Sequence, residues 1–221
     1  MDQLSLTLVT DRAQTGGRDL VTVISECLAA GLPAVQVREK DLSARDLAVL
    51  CRRLRNLTRD TGALLTVNDR LDVALAVGAD AVQRSSISLD VKDMRDIAGR
   101  QLRIGASVHS LEEARDAEKN GADWVVFGPV YDTPSKRAYG APQGVERLAI
   151  VARRLKIPVL AIGGITPERV PEVIAAGAHG VAVISGILAA DSPSDATQLY
   201  LKALGGRGRR TPRVRRKSST S

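Results

Sequence analysis

The sequence predicts a single (β/α)8 barrel of the α/β class, and three observations carry that prediction. Short runs rich in Val, Ile and Leu alternate with longer stretches in which apolar residues recur every three or four positions. Most of the short runs are apolar on both faces, as parallel strands are when helices cover the sheet. A glycine-led turn also recurs before every second run, at Gly31, Gly78, Gly121 and Gly177. An open doubly wound sheet is the competing architecture, but a fourfold recurrence of a double β/α unit is the pattern of a closed barrel.

The strands are expected at 4–10, 34–38, 63–67, 81–83, 102–106, 124–128, 159–162 and 180–185. Amphipathic helices are expected at 18–30, 44–61, 111–120, 145–155 and 168–176. The recurrent turns read Ala30-Gly31-Leu32-Pro33, Gly78-Ala79-Asp80, Gly121-Ala122-Asp123 and Gly177-Ala178-His179. In each, a glycine stands where a helix stops, ahead of a buried strand. The barrel is expected to occupy 1–204. The segment 205–221 has no apolar periodicity and reads as a disordered basic tail.

Charge and composition narrow the functional classes. The chain has 221 residues and a formal charge of +7, but the tail carries seven of the 32 basic residues and no acid. The rest balances 25 basic against 25 acidic side chains, so no basic face is implied. Only five aromatics are present, too few for a base-stacking platform, and no specific nucleic-acid partner is expected. Cys27 and Cys51 lie in helical patterns without zinc-ligand spacing, which fits reduced thiols in a cytoplasmic protein. The first ten residues do not form a signal peptide, and no apolar run approaches membrane-spanning length.

Barrel active sites sit at the C-terminal ends of the strands. Those ends carry Thr10-Asp11, Gln36-Val37-Arg38-Glu39-Lys40, Asn68-Asp69, Gln83-Arg84-Ser85-Ser86, Ser107 with His109, and the loop from Gly128 to Lys136. Strands seven and eight end in Gly163-Gly164 and Ser185-Gly186, where close backbone approach suits a phosphate. Arg38, Lys40 and Lys136, with the hydroxyls of Thr133 and Ser135, suit a polyphosphate on the opposite side. Asp69 is read either as a magnesium ligand or as the N-cap of a following helix. Ser110 is the expected N-cap of the helix beside His109, which favours a structural role for that imidazole. No Ser-His-Asp arrangement or acid/base carboxylate pair is visible.

At these residues the chain resembles the thiamine-phosphate synthase superfamily, across almost the whole body. The matching motifs include Val9-Thr10-Asp11, Gln36-Val37-Arg38-Glu39-Lys40, Val67-Asn68-Asp69-Arg70, Gly105-Ala106-Ser107-Val108-His109-Ser110, Phe127-Gly128-Pro129-Val130-Tyr131, Thr133-Pro134-Ser135-Lys136 and Ala161-Ile162-Gly163-Gly164-Ile165. The resemblance implies that Gln36, Arg38, Lys40, Asn68, Ser107 and Lys136 hold a pyrimidine diphosphate, with Arg38, Lys40, Ser107 and Lys136 acting in catalysis. It implies magnesium as cofactor, bound by Asp69. It implies that Thr133, Ser135, Gly164, Ile184 and Ser185 hold a thiazole phosphate. The partners are then small phosphorylated substrates, with no membrane and with a homodimer left open.

Two departures bear on the branch of the family. Synthases usually carry His-Leu-Gly-Gln and an acidic pair after strand four, and the second acid is a magnesium ligand. Here the run is Gln83-Arg84-Ser85-Ser86-Ile87-Ser88, so Ser88 stands in that place and Asp90 lies two residues on. The related thiazole tautomerase has a His after the strand-six Phe-Gly as its proposed base, and here that residue is Pro129. The cations retained have no work in a tautomerase, so the expectation is the synthase. Tautomerase and non-catalytic thiazole-phosphate binder stand as alternatives.

Overall fold

The computed structural model describes residues 2–133 and 141–205. Within them lie β1 (Leu6–Val9), a 3-10 turn (Arg12–Gln14), α1 (Leu20–Ala29), β2 (Ala34–Val37), α2 (Ala44–Thr61), β3 (Leu64–Asn68), α3 (Leu71–Val77), β4 (Ala81–Arg84) and α4 (Val91–Ala98). The second half holds β5 (Arg103–Val108), α5 (Leu111–Lys119), β6 (Trp124–Phe127), α6 (Gly144–Arg154), β7 (Val159–Ile162), α7 (Val170–Ala175), β8 (Gly180–Val183), α8 (Ser185–Leu188) and α9 (Pro193–Gly205). All strands pair in parallel and in chain order, and β8 pairs with β1, which closes the barrel. The eight expected runs and five expected helices match these elements to within two residues at either end. The bounds of α3, α4, α8 and α9 are set by the structure and not by periodicity.

Local chemistry explains the boundaries. Asp19, Ser43 and Ser110 cap α1, α2 and α5, each accepting from the backbone N–H three residues on, at 3.0, 3.2 and 3.1 Å. The recurrent glycines adopt φ of 97° at Gly31, 62° at Gly78, 96° at Gly121 and 105° at Gly177. An L side chain is strained there, so the turn plan requires glycine.

Strand alternation then sorts the side chains. Leu6, Leu8, Val35, Val37 and Leu65 pack outward against the helices. Ala34, Leu64, Ala81, Trp124, Leu160 and Ala182 form the apolar floor of the interior. Trp124 fits because β5 offers Gly105 beside it: a Cβ there would lie 2.4 Å from the indole and 2.2 Å from Gln83 Oε1. The next inward positions above this floor are polar, and they form the mouth. Cys27 and Cys51 are buried and unbridged. No described helix is long and apolar enough to cross a membrane.

Gly105→Ala is expected to overpack the interior and cost about 1–3 kcal/mol. A lowered urea midpoint with unchanged slope would report it. An unchanged midpoint would mean that the indole has room to move.

Candidate active site

Four neighbouring strands each send one polar side chain into the mouth. Gln36 is buried on β2 and donates from Nε2 to Asn68 Oδ1 on β3 at 3.0 Å. Gln83 is buried on β4 and donates from Nε2 to Ser107 Oγ on β5 at 3.0 Å. The Ser107 oxygen thereby receives one hydrogen bond and keeps its own proton for a further acceptor.

Asp69 follows directly on β3. It is the one non-glycine residue with a left-handed backbone among the described residues, at φ 69°. Such a conformation costs on the order of 1 kcal/mol, and Asp bears it better than most side chains. Two consecutive three-residue turns produce it: Arg70 N–H bonds Asn68 O at 2.7 Å, and Leu71 N–H bonds Asp69 O at 3.0 Å. The Asp69 N–H bonds Gln83 O at 2.9 Å, which fixes the turn to β4. Its carboxylate accepts from the Ser88 hydroxyl, and Ser88 Oγ accepts in turn from Ser85 N–H at 2.8 Å. The N-cap alternative for Asp69 is therefore corrected: Arg70 holds the cap position of α3, and no side chain caps that helix. Asp90 pairs with Arg84 at 3.3 Å and is 78% exposed, whereas Ser88 meets Asp69.

The cations sit on a braced loop. Arg38 continues the inward register of Ala34 and Gln36, and its N–H bonds Thr10 Oγ1 at 2.9 Å. Its side chain is half-buried, and Lys40 is exposed. Neither charged head has a hydrogen bond or ion pair among the described residues. Glu39 between them turns the other way, into a buried site where it accepts from the Arg12 backbone N–H at 3.2 Å and the Arg12 guanidinium at 3.1 Å. Arg12 also pairs with Asp41. Glu39 thus ties the β1 and β2 loops together and leaves Arg38 and Lys40 uncompensated.

Across the barrel, β7 runs into Gly163 and Gly164, with φ of 101° and 62°. A Cβ on Gly163 would lie 2.6 Å from Pro129, and one on Gly164 would lie 2.6 Å from the Asp132 carbonyl oxygen. Val130 N–H bonds Ile162 O at 2.8 Å, and Tyr131 N–H bonds Gly163 O at 3.0 Å. Across a trans peptide, N–H points opposite to C=O. The N–H groups of Gly163 and Gly164 therefore face away from the β6 loop. The next two carbonyls are taken by Arg169 Nη1 at 2.6 Å and Tyr200 Oη at 2.8 Å. Ser185 and Gly186 begin α8, so their N–H groups have no intrahelical partner. Ile184 holds the position just before that helix.

The structure brings Gln36, Asn68, Asp69 and Ser107 to one side of the mouth, and Gly164, Ile184 and Ser185 to the other. Thr133 is half-buried at the edge of the described residues. Ser135 and Lys136 lie outside the described residues, as do positions 206–221. His109 is tied into the scaffold: Ser110 caps α5, Glu113 accepts from His109 N–H at 2.7 Å, and the ring Nδ1 donates to Gly128 O at 2.6 Å. Among the described residues no group of three or more His, Cys, Asp or Glu stands ready for a metal. Sequence reasoning gave no role to Gln83, Arg169 or Tyr200. Tyr200 and Arg169 lie in helix-like stretches where nothing in the pattern marks them, and only the folded loops show what they touch.

A family model described as thiamine monophosphate synthase matches residues 6–187. A thiamine-phosphate synthase of Moorella thermoacetica is 42% identical over 210 residues, covering 95% of this chain and 100% of that protein. That of Roseiflexus sp. (strain RS-1) is 44% identical over 191 residues, covering 86% and 81%. A solved structure, a thiamine phosphate pyrophosphorylase from Pyrococcus furiosus, matches with a TM-score of 0.85 at 39% identity, covering 92% of this chain and 96% of that one. The match runs from β1 into α8, through both sides of the mouth, and the chain belongs to the thiamine-phosphate synthase family, transferases of thiamine biosynthesis.

Proposed function

We propose that this barrel mouth joins hydroxymethylpyrimidine diphosphate to hydroxyethylthiazole phosphate, releasing diphosphate and thiamine phosphate. The observation that carries the reading is one mouth with two anion-binding sides. Uncompensated cations and a polar ring on β2–β5 face a loop of free N–H groups at β7 and β8. In the reaction, the bond between the pyrimidine methylene carbon and the diphosphate oxygen breaks, and its electron pair leaves with diphosphate. The thiazole nitrogen then forms the new C–N bond to the resulting cation. Such a step needs charge stabilisation at the leaving group more than a general base, and no such base is visible.

In this reading Gln36 and Asn68 hold the pyrimidine diphosphate, while Arg38, Lys40 and Lys136 neutralise the departing charge. Ser107 donates its free proton to a diphosphate oxygen. Thr133, Ser135, Gly164, Ile184 and Ser185 hold the thiazole phosphate. The oxygen donors Asp69 and Ser88 meet each other and fit magnesium, a hard ion that binds through one or two carboxylates plus substrate phosphates. When bound, magnesium supplies further charge neutralisation to the diphosphate. The tautomerase alternative finds no support at its base position, where Pro129 has no titratable group. Buried, unbridged thiols agree with a cytoplasmic enzyme.

Asp69→Asn is expected to lower diphosphate release on the order of 10²-fold or more while keeping the melting temperature, because Asn also tolerates a left-handed backbone. Ser88→Asp is expected to lower the magnesium concentration giving half-maximal release, since it adds a carboxylate beside Asp69. If Asp90→Asn alone abolishes release, Asp90 is the second ligand and the assignment to Ser88 is wrong.

Lys136→Ala and Arg38→Ala should reduce turnover and leave thiazole phosphate binding nearly intact. Equal damage to the binding of both substrates would show that the two pockets are misassigned.

The tail is proposed to lie outside the catalytic body. A chain ending at Leu204 should keep its turnover and melting temperature, and a drop of several degrees would show that the tail packs on the barrel.

A further inference from the structure

A two-glycine loop is a good phosphate cradle only if its peptides are held in one orientation. Glycine leaves both directions open, and a flipped peptide would present a carbonyl oxygen to the anion in place of an N–H. Four consecutive carbonyls in this loop are tied back from the pocket. Ile162 and Gly163 are held by backbone N–H groups of the β6 loop. Gly164 and Ile165 are held by side chains, Arg169 at 2.6 Å and Tyr200 at 2.8 Å.

We infer that Tyr200 and Arg169 are positioning residues for the thiazole phosphate, fixing the two peptides that follow Gly164 and so anchoring the loop whose glycine N–H groups the β6 loop turns to the pocket. The inference rests on the assignment of the thiazole phosphate to that pocket. Arg169 is itself oriented: its guanidinium lies 4.4 Å from the centroid of the Tyr131 ring, and the Tyr131 hydroxyl donates to Glu172 at 2.6 Å. The Gly164 carbonyl it holds belongs to the same peptide as the Ile165 N–H, which therefore turns away from Arg169.

Tyr200 reaches the loop from α9, and its side chain is almost wholly buried at 1% exposure. Its hydroxyl does two things. It donates to Ile165 O, and it fills the notch beside Gly186, where a Cβ would lie 2.2 Å from the phenol oxygen. One atom thus spaces the β7 loop from the start of α8, the two backbone segments that share the phosphate. Burial pushes the Tyr200 phenol up to about 12, so it stays a donor across the working pH range.

The test compares hydroxyethylthiazole phosphate with the unphosphorylated alcohol in wild type, Tyr200→Phe and Arg169→Gln, by calorimetry and steady-state kinetics. Each variant is expected to weaken binding of the phosphate about 3- to 10-fold, as for a lost orienting hydrogen bond. Alcohol binding and the KM for the pyrimidine diphosphate should stay unchanged. A merely structural role would weaken phosphate and alcohol alike, and that outcome overturns the inference. So does a wild-type ratio of phosphate to alcohol affinity in both variants. If wild type itself does not prefer the phosphate, the pocket assignment is what fails. Should Tyr200→Phe not fold, Arg169→Gln decides alone, because Arg169 is exposed.

Discussion

In a closed parallel sheet, successive side chains point alternately to the helices and to the barrel axis, and all strands end at the same rim. That constraint governs both stability and chemistry here. The same strands that supply Ala34, Leu64, Ala81 and Trp124 to the floor supply Gln36, Asn68, Gln83 and Ser107 to the mouth. The polar ring pairs its side chains with one another above an apolar floor, where an unmade hydrogen bond costs about 1–3 kcal/mol. Its two hydrogen bonds link β2 to β3 and β4 to β5. Gln83 Oε1 lies buried beside Gly105 without a hydrogen-bond partner among the described residues.

The one non-glycine residue with a left-handed backbone among the described residues, Asp69, stands at a strand end facing the mouth. There the strain aims a carboxylate that would otherwise cap a helix. Gly163 and Gly164 take positive φ without such strain, and the missing side chains let the β7 loop lie against the β6 loop. Both turns are held by neighbours from distant parts of the chain, Gln83 for the first and the β6 loop for the second. A residue in an unfavourable conformation persists only when its surroundings over-determine it.

Electrostatics in this molecule is local. The barrel body is charge-balanced, and Arg38 and Lys40 at the mouth have no ion pair among the described residues. Glu39 lies between Arg38 and Lys40 in sequence, and it would neutralise them if it faced the mouth. Instead it turns to Arg12, which is also held by Asp41. With its Arg12 end 41% exposed, the Arg12–Glu39 pair is weak evidence for stability. Here its clearer effect is to bind the β1 and β2 loops together while keeping Glu39 away from Arg38 and Lys40.

The sequence by itself determined the strand order, the turn glycines, the cap at Ser110, and the strand-end motifs that place Gln36, Asn68, Asp69, Ser107 and Gly164 at the mouth. These are legible because periodicity, glycine conformation and capping act over a few neighbouring residues. The tertiary structure alone decided that Asp69 leaves its helix uncapped, that Ser88 and not Asp90 meets its carboxylate, and that Glu39 turns away from the mouth to Arg12. It alone brought Tyr200 from the last helix to the β7 loop. Each of these depends on which distant segments become neighbours once the barrel closes. No local pattern encodes that, because a side chain's hydrogen-bond partner is set by spatial proximity, and closure joins residues far apart in the chain.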